Sequence, residues 1–107
     1  MSTRLPGKKY KSVFDRGRPR RGRLMTAWVL RSEDAGRQAG VVVSKKSFHD
    51  AVDRNRAKRI LREGFRLVAD EMPADADWVL VGRASLGGRR TADVMRELRY
   101  LATKCGR

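Results

Sequence analysis

The sequence predicts one α+β domain over residues 1–107, with its elements in the order α-β-β-β-α-β-α. Three observations predict it. A chain of 107 residues can hold a single modest core, burying roughly 65% of its unfolded surface. Apolar residues recur at helical spacing in three stretches, around residues 10–14, 51–71 and 94–102. Between them stand short runs of β-compatible residues at 24–30, 39–46 and 77–82, with no internal repeat or low-complexity tract.

Arg4-Leu5-Pro6-Gly7 discourages helix, whereas residues 8–16 place Tyr10, Val13 and Phe14 at i, i+3 and i+4, which predicts a short first helix with Gly17 as its C-cap. Arg18-Pro19-Arg20-Arg21-Gly22-Arg23 is too basic and broken for a core strand, and reads as a short edge strand or a loop. Residues 24–30, containing Thr26, Trp28 and Val29, predict a strand ending at a polar turn. The next strand is expected at 39–46, with Ser44-Lys45-Lys46 emerging at its end, and a hairpin is expected to join the two. Asp50 is placed to cap a main helix over residues 51–71, Asp53 standing in for the Glu of a capping box, and Pro73 stops it. Residues 77–82 read as a strand and 86–88 as a loop. Thr91 is expected to cap a final helix whose Val94, Leu98, Leu101 and Ala102 pack against the sheet.

The formal net charge is +14, from 26 Lys and Arg against 12 acids. Solubility needs far less, so the charge points to a polyanion, with nucleic acid the first candidate. Nineteen of the cations are Arg, a ratio that a G+C-rich genome also produces. The net charge, not the ratio, carries the inference. The longest apolar stretch is a few residues and the amino terminus lacks the apolar segment of a signal peptide, so a cytoplasmic, membrane-free protein is expected. A single cysteine, Cys105, leaves no disulfide framework, and with one histidine it makes no zinc site.

Residues 54–66 hold six of the cations. At 100° per residue Arg54, Lys58, Arg62 and Arg66 form one basic face with Asn55 and Arg59 beside them. Ala57, Ile60, Leu61, Gly64 and Val68 gather opposite, with Phe65 at the boundary and Arg56 off the stripe near Glu63. A solvated charged face is common, but here the i,i+4 neighbours share a sign, which costs a few tenths of a kcal/mol per pair unless an anion binds. Neutralising about four phosphates of a single strand gives an expected slope of log K against log salt near −3.

The only histidine, His49, lies in a loop with no identifiable partner, and the glycines fit neither a P-loop nor a dinucleotide fingerprint. No catalytic residue and no metal ligand is therefore assigned, and the function reads as binding. A zipper-type DNA reader needs sustained heptads, and none follows Arg66.

Val42-Val43-Ser44-Lys45-Lys46, followed by Ala51-Val52-x-Arg54-Asn55-Arg56-x-Lys58-Arg59-x-x-Arg62-x-x-Phe65, resembles the bacterial ribonuclease P protein family, whose signature is the Arg-Asn-Arg core. Upstream, Arg4-Leu5 and Tyr10-x-x-Val13-Phe14-x-x-Gly17 are similar to that family's first helix, so the resemblance covers nearly the whole chain. It implies a fold similar to the second domain of ribosomal protein S5, with a left-handed β-α-β crossover carrying the basic helix; periodicity alone favours the common right-handed connection. It also implies a subunit of an endoribonuclease whose RNA, with Mg2+, removes the 5′ leader of precursor tRNA, while the protein itself holds no cofactor firmly.

Carried over by residue, the resemblance places Tyr10, Phe14 and Trp28 in a cleft for the single-stranded leader, where aromatic faces stack on bases without demanding a sequence. Aromatics at helical spacing more often only fill a core. Ser44, Lys45 and Lys46 fall at the cleft edge, and Arg54, Asn55, Arg56, Lys58, Arg59 and Arg62 on the catalytic RNA. The expected partners are ribonuclease P RNA and precursor tRNA, with no DNA. Tyr10 departs from the Phe of the family pattern, and Ser47-Phe48-His49-Asp50 departs from its usual Gly-Asn loop. A general RNA- or ribosome-binding module is the alternative reading of the same charge.

Overall fold

Apolar spacing near the amino terminus does close a helix. In a computed structural model describing residues 3–104, a 3-10 turn at Gly7–Lys9 runs into α1 (Tyr10–Arg16). Cys105 lies outside the described residues. Gly17 ends α1, but at φ −82° and ψ 175° it is extended, not left-handed. Space is what demands glycine there. Its N–H donates to the Val13 carbonyl at 2.8 Å, and a Cβ would lie 2.8 Å from the Val29 carbonyl oxygen and closer still to that of Val13. The end of α1 therefore rests directly on the sheet.

That sheet comprises β1 (Arg18–Arg21), β2 (Met25–Arg31), β3 (Gln38–Val42) and β4 (Ala76–Gly82), in the order β1-β2-β4-β3. Of the two readings of the arginine-rich segment the edge strand holds: β1 pairs antiparallel with β2, and as an edge it tolerates Pro19. β4 pairs antiparallel with β2 and parallel with β3. The expected hairpin between the second and third strands is therefore not formed, because β4 lies between them. Two causes are visible. Trp78, Val79 and Leu80 are fully buried, so β4 needs cover on both faces and a neighbour on both edges. Asp77 is itself buried and accepts the N–H groups of Gly36 (3.0 Å) and Gln38 (3.3 Å), while the Arg37 N–H donates to the Ala76 carbonyl, drawing the incoming chain onto β4. Arg37 takes a left-handed φ of 55° in this turn, its Nε–H donated to the Met72 carbonyl. β3 stops at Val42, earlier than expected, because the Ser44 hydroxyl accepts the Ser47 N–H and starts a turn.

The main helix α2 (Ala51–Val68) tightens into a 3-10 turn at Ala69–Glu71 before Pro73, close to the expected extent. Asp50 occupies the N-cap, yet its side chain makes no capping bond, so the expected capping box is absent. α3 (Thr91–Ala102) is capped at Arg90, not at Thr91. Asp93 accepts the Arg90 N–H at 2.9 Å, and that bond, helped by the nearby arginines, holds the Asp93 carboxyl below its ordinary pKa.

Alternation along the strands makes two cores. One face carries Met25, Ala27, Val29, Val41, Trp78 and Leu80 against Ile60, Leu61, Phe65 and Val68 of α2. Phe65 is fully buried here and not at a boundary, its ring 6.0 Å from that of Trp78. α3 packs chiefly on α2, not on the sheet as expected, and bare Gly64 admits the Val94 side chain. The other face is covered, among the described residues, by α1 and the segment that precedes it, around Leu5, Val13 and Val79.

Candidate nucleic-acid interface

One helix cannot cover four strands, so the α1 face is left partly open. Tyr10, Phe14, Trp28, Leu30, Val42 and Val81 pack around Leu5, Val13 and Val79 but stay half-exposed, and this apolar surface between helix and sheet is the candidate cleft. The two aromatics of α1 and the one of β2 thus meet on one surface. Phe14 and Trp28 stand edge to face, centroids 5.5 Å apart and planes at 71°, an arrangement that fixes both rings before any ligand arrives.

Tyr10 does a second task. Its ring lies over Gly40, where any Cβ would collide with it, and its hydroxyl accepts the Val41 N–H at 3.1 Å. β3 is an edge strand, and its outward N–H at Ala39 is already taken by the Thr3 carbonyl (2.8 Å), while its Ala39 carbonyl receives the Leu5 N–H (3.1 Å). Tyr10 satisfies the next outward donor along that edge, a bond that Phe at this position cannot make. The departure from the family pattern therefore has a structural reason here. Ser44, Lys45 and Lys46 are exposed in the turn that follows Val42, beyond the end of β3 on which the cleft is floored.

The basic side chains of α2 divide into two groups. Arg54 turns back to donate from Nη1 to the carbonyls of Phe48 and His49, both at 2.9 Å, and so braces the loop before the helix. Arg56 donates to the Arg89 carbonyl at 2.8 Å and ties α2 to the start of α3. It is not the partner of Glu63, which pairs with Arg66 at 2.6 Å; that bond lowers the Glu63 pKa and raises that of Arg66. Arg66 is thereby withdrawn from the free stripe. Asn55, Lys58, Arg59 and Arg62 remain, with no side-chain hydrogen bond or ion pair among the described residues, the two arginines exposed. Between this face and the β3 edge lies a pocket of about 230 Å³ lined by Thr3, Arg4, Ala39, Arg59, Arg62 and Phe65 together with the Glu63–Arg66 pair. The cationic surface thus reaches the strand edge whose far side floors the cleft.

Sequence reasoning missed Gly40 and Asp77 as residues that position these groups, and it gave Gly17 a capping role without its close approach to the sheet. Glycine at a close approach leaves no periodic signal, though the polar Asp77 at the head of an apolar run was a legible anomaly.

A family model described as Ribonuclease P matches residues 5–106. The ribonuclease P protein component of Oleidesulfovibrio alaskensis is 39% identical over 91% of this chain and 84% of its own length. That of Syntrophus aciditrophicus is 35% identical over 89% of this chain and 79% of its own. Among solved structures, the RNase P protein of Thermotoga maritima superposes with a TM-score of 0.79 at 24% identity, covering 94% of this chain and 96% of that one. The Staphylococcus aureus RNase P protein gives 0.78 at 19%, covering 99% and 97%. These two likenesses are of fold.

Proposed function

The chain belongs to the bacterial ribonuclease P protein family and is a protein component of ribonuclease P, and from that premise we propose how its two surfaces divide the work. Asn55, Lys58, Arg59 and Arg62 bind phosphates of the catalytic RNA, with Arg54 and Arg56 holding the helix in place. Tyr10, Phe14 and Trp28 receive the single-stranded 5′ leader of precursor tRNA, with Ser44, Lys45 and Lys46 at the mouth of the cleft. The observation that carries this reading is the separation of free cations from half-exposed aromatics onto two faces that meet at the β3 edge. Catalysis belongs to the RNA. Its Mg2+ is RNA-held as well, since Lys58, Arg59 and Arg62 repel a divalent cation and cannot ligate one. We place the complex in the cytoplasm; among the described residues no helix is long and apolar enough to cross a membrane. We also take the β3–α2–β4 connection to be left-handed and the sheet to be like that of ribosomal protein S5, with the family resemblance as support and an experimental structure of this chain as the check.

Reconstitution tests the assignment. With a bacterial ribonuclease P RNA at low Mg2+, the protein is expected to restore leader cleavage, and cleavage no faster than with RNA alone would sink the reading. Within that complex Arg59→Ala or Arg62→Ala is expected to weaken RNA affinity and to flatten the salt slope by about 0.7–0.9 each, one phosphate contact apiece. An unchanged slope counts against phosphate contact. Phe14→Ala is expected to leave that slope alone and to weaken binding of leader-bearing precursor relative to mature tRNA by roughly tenfold, equivalent to the ~1–3 kcal/mol of one lost base stack. Equal loss for both substrates would remove the leader from the cleft.

A further inference from the structure

A second cationic surface lies away from both the cleft and the free face of α2. The turn between β1 and β2, the loop after β4 and the outer side of α3 enclose a groove of about 920 Å³, lined by Arg21, Arg23, Arg83, Arg89 and Arg96, with Tyr100 at its wall. Two carboxylates share it, Asp93 and Glu97, and both are engaged. Asp93 accepts the Arg90 N–H and lies 3.4 Å from Arg96. Glu97 accepts the N–H groups of Arg23 (2.9 Å), Leu24 (2.9 Å) and Met25 (3.1 Å). Five arginines against two carboxylates leave the groove cationic.

Its walls are fixed in advance. Besides the three bonds to Glu97, the Gly22 N–H donates to the Met25 carbonyl and Arg83 Nη1 to the Gly22 carbonyl at 2.7 Å, while the Ser85 hydroxyl donates to the Arg23 carbonyl. The backbone of the turn is thus spent internally, and its arginine side chains are not. The guanidinium groups of Arg21, Arg23 and Arg89 make no hydrogen bond among the described residues, and all three residues are exposed. Tyr100 is 58% exposed, with the Lys104 ammonium 5.2 Å from the centroid of its ring. Free planar forks on a rigid wall beside an exposed ring suit a sugar–phosphate backbone with an accessible base.

We propose that this groove binds a second segment of the same catalytic RNA that docks on α2. The proposal rests on the RNA-subunit reading above. The groove opens on the side of the sheet that α2 and α3 cover, whereas the leader cleft lies under α1 on the other side, so RNA continuing past α2 reaches it and the leader does not.

Tethered hydroxyl-radical cleavage tests it, using Fe-EDTA on a single cysteine in full-length Cys105→Ser protein bound to ribonuclease P RNA. Arg23→Cys is expected to cut the RNA at positions distinct from those cut by Lys58→Cys. Cutting from Lys58→Cys alone would overturn the groove and leave the α2 reading standing; silence from both would remove docking altogether. Cutting of bound precursor tRNA, and not of the catalytic RNA, would also overturn it. In parallel, Arg21→Gln/Arg23→Gln/Arg89→Gln is expected to keep the wild-type melting curve and the preference for leader-bearing precursor. Its RNA affinity is expected to fall about tenfold or more near 0.15 M salt, with a slope shallower by about 2, the share of three phosphates. An unchanged affinity and slope would defeat the proposal.

Discussion

Glu97→Ala is expected to lower the melting temperature by about 10–25 °C, a loss of ~2–4 kcal/mol for a domain of this size. One carboxylate accepts three consecutive backbone N–H groups, those of Arg23, Leu24 and Met25. Leu24 and Met25 are buried, so water does not readily replace the acceptor. The tip of the β1–β2 hairpin would lose its attachment to α3, and bare Gly22, which leaves room for the Glu97 carboxylate, would have nothing to make room for. Glu97→Gln keeps one acceptor oxygen and should fall between the two. Thermal melting followed by circular dichroism measures this, and an alanine variant that melts within a degree or two of wild type would show that the three bonds contribute little.

Gly17→Ala is the substitution expected to damage the cleft most. A Cβ at this position meets backbone on both sides, the carbonyls of Val13 and Val29, so no rotamer change relieves it and α1 must lift from β2. The expected cost is about 3 kcal/mol, at the upper end for an added methyl group in a packed site. Preference for leader-bearing precursor should drop roughly tenfold, about the energy of one stacked base. Affinity for the catalytic RNA should stay nearly unchanged, because α2 lies across the sheet from α1. Gly40→Ala offers a milder comparison, since the group it strikes is the Tyr10 ring, a side chain that can swing. If Gly17→Ala retained full substrate discrimination, the cleft geometry proposed here would be wrong.

Helices were legible in the sequence because period and charge agree along them: α2 occupies almost the expected residues, and its apolar side is the buried side. Strand existence was legible too, but pairing was not. Reading neighbours in sequence as neighbours in space gave a β2–β3 hairpin, whereas the unbroken burial of Trp78, Val79 and Leu80 marks β4 as the strand that needs two partners. The basic face was recognisable as a whole but not its division. Only the folded structure separates Arg54, Arg56 and Arg66, which are committed to carbonyls or to Glu63, from Lys58, Arg59 and Arg62, which have no such partner among the described residues. Arg23 and Arg89 carried no signal either, since the chain is rich in arginine and their gathering depends on Glu97 drawing a distant hairpin onto α3.

The central position of β4 also bears on how the protein is made. Emerging from the ribosome, the chain presents β1, β2, β3 and all of α2 before residues 76–82 emerge to join β2 to β3. Until then the sheet is in two unpaired pieces, and the cationic helix is released among the RNA of the ribosome itself with its apolar side uncovered. Exposure of the chain to bystander RNA is therefore set by the order in which its strands emerge as well as by the stability of the finished domain.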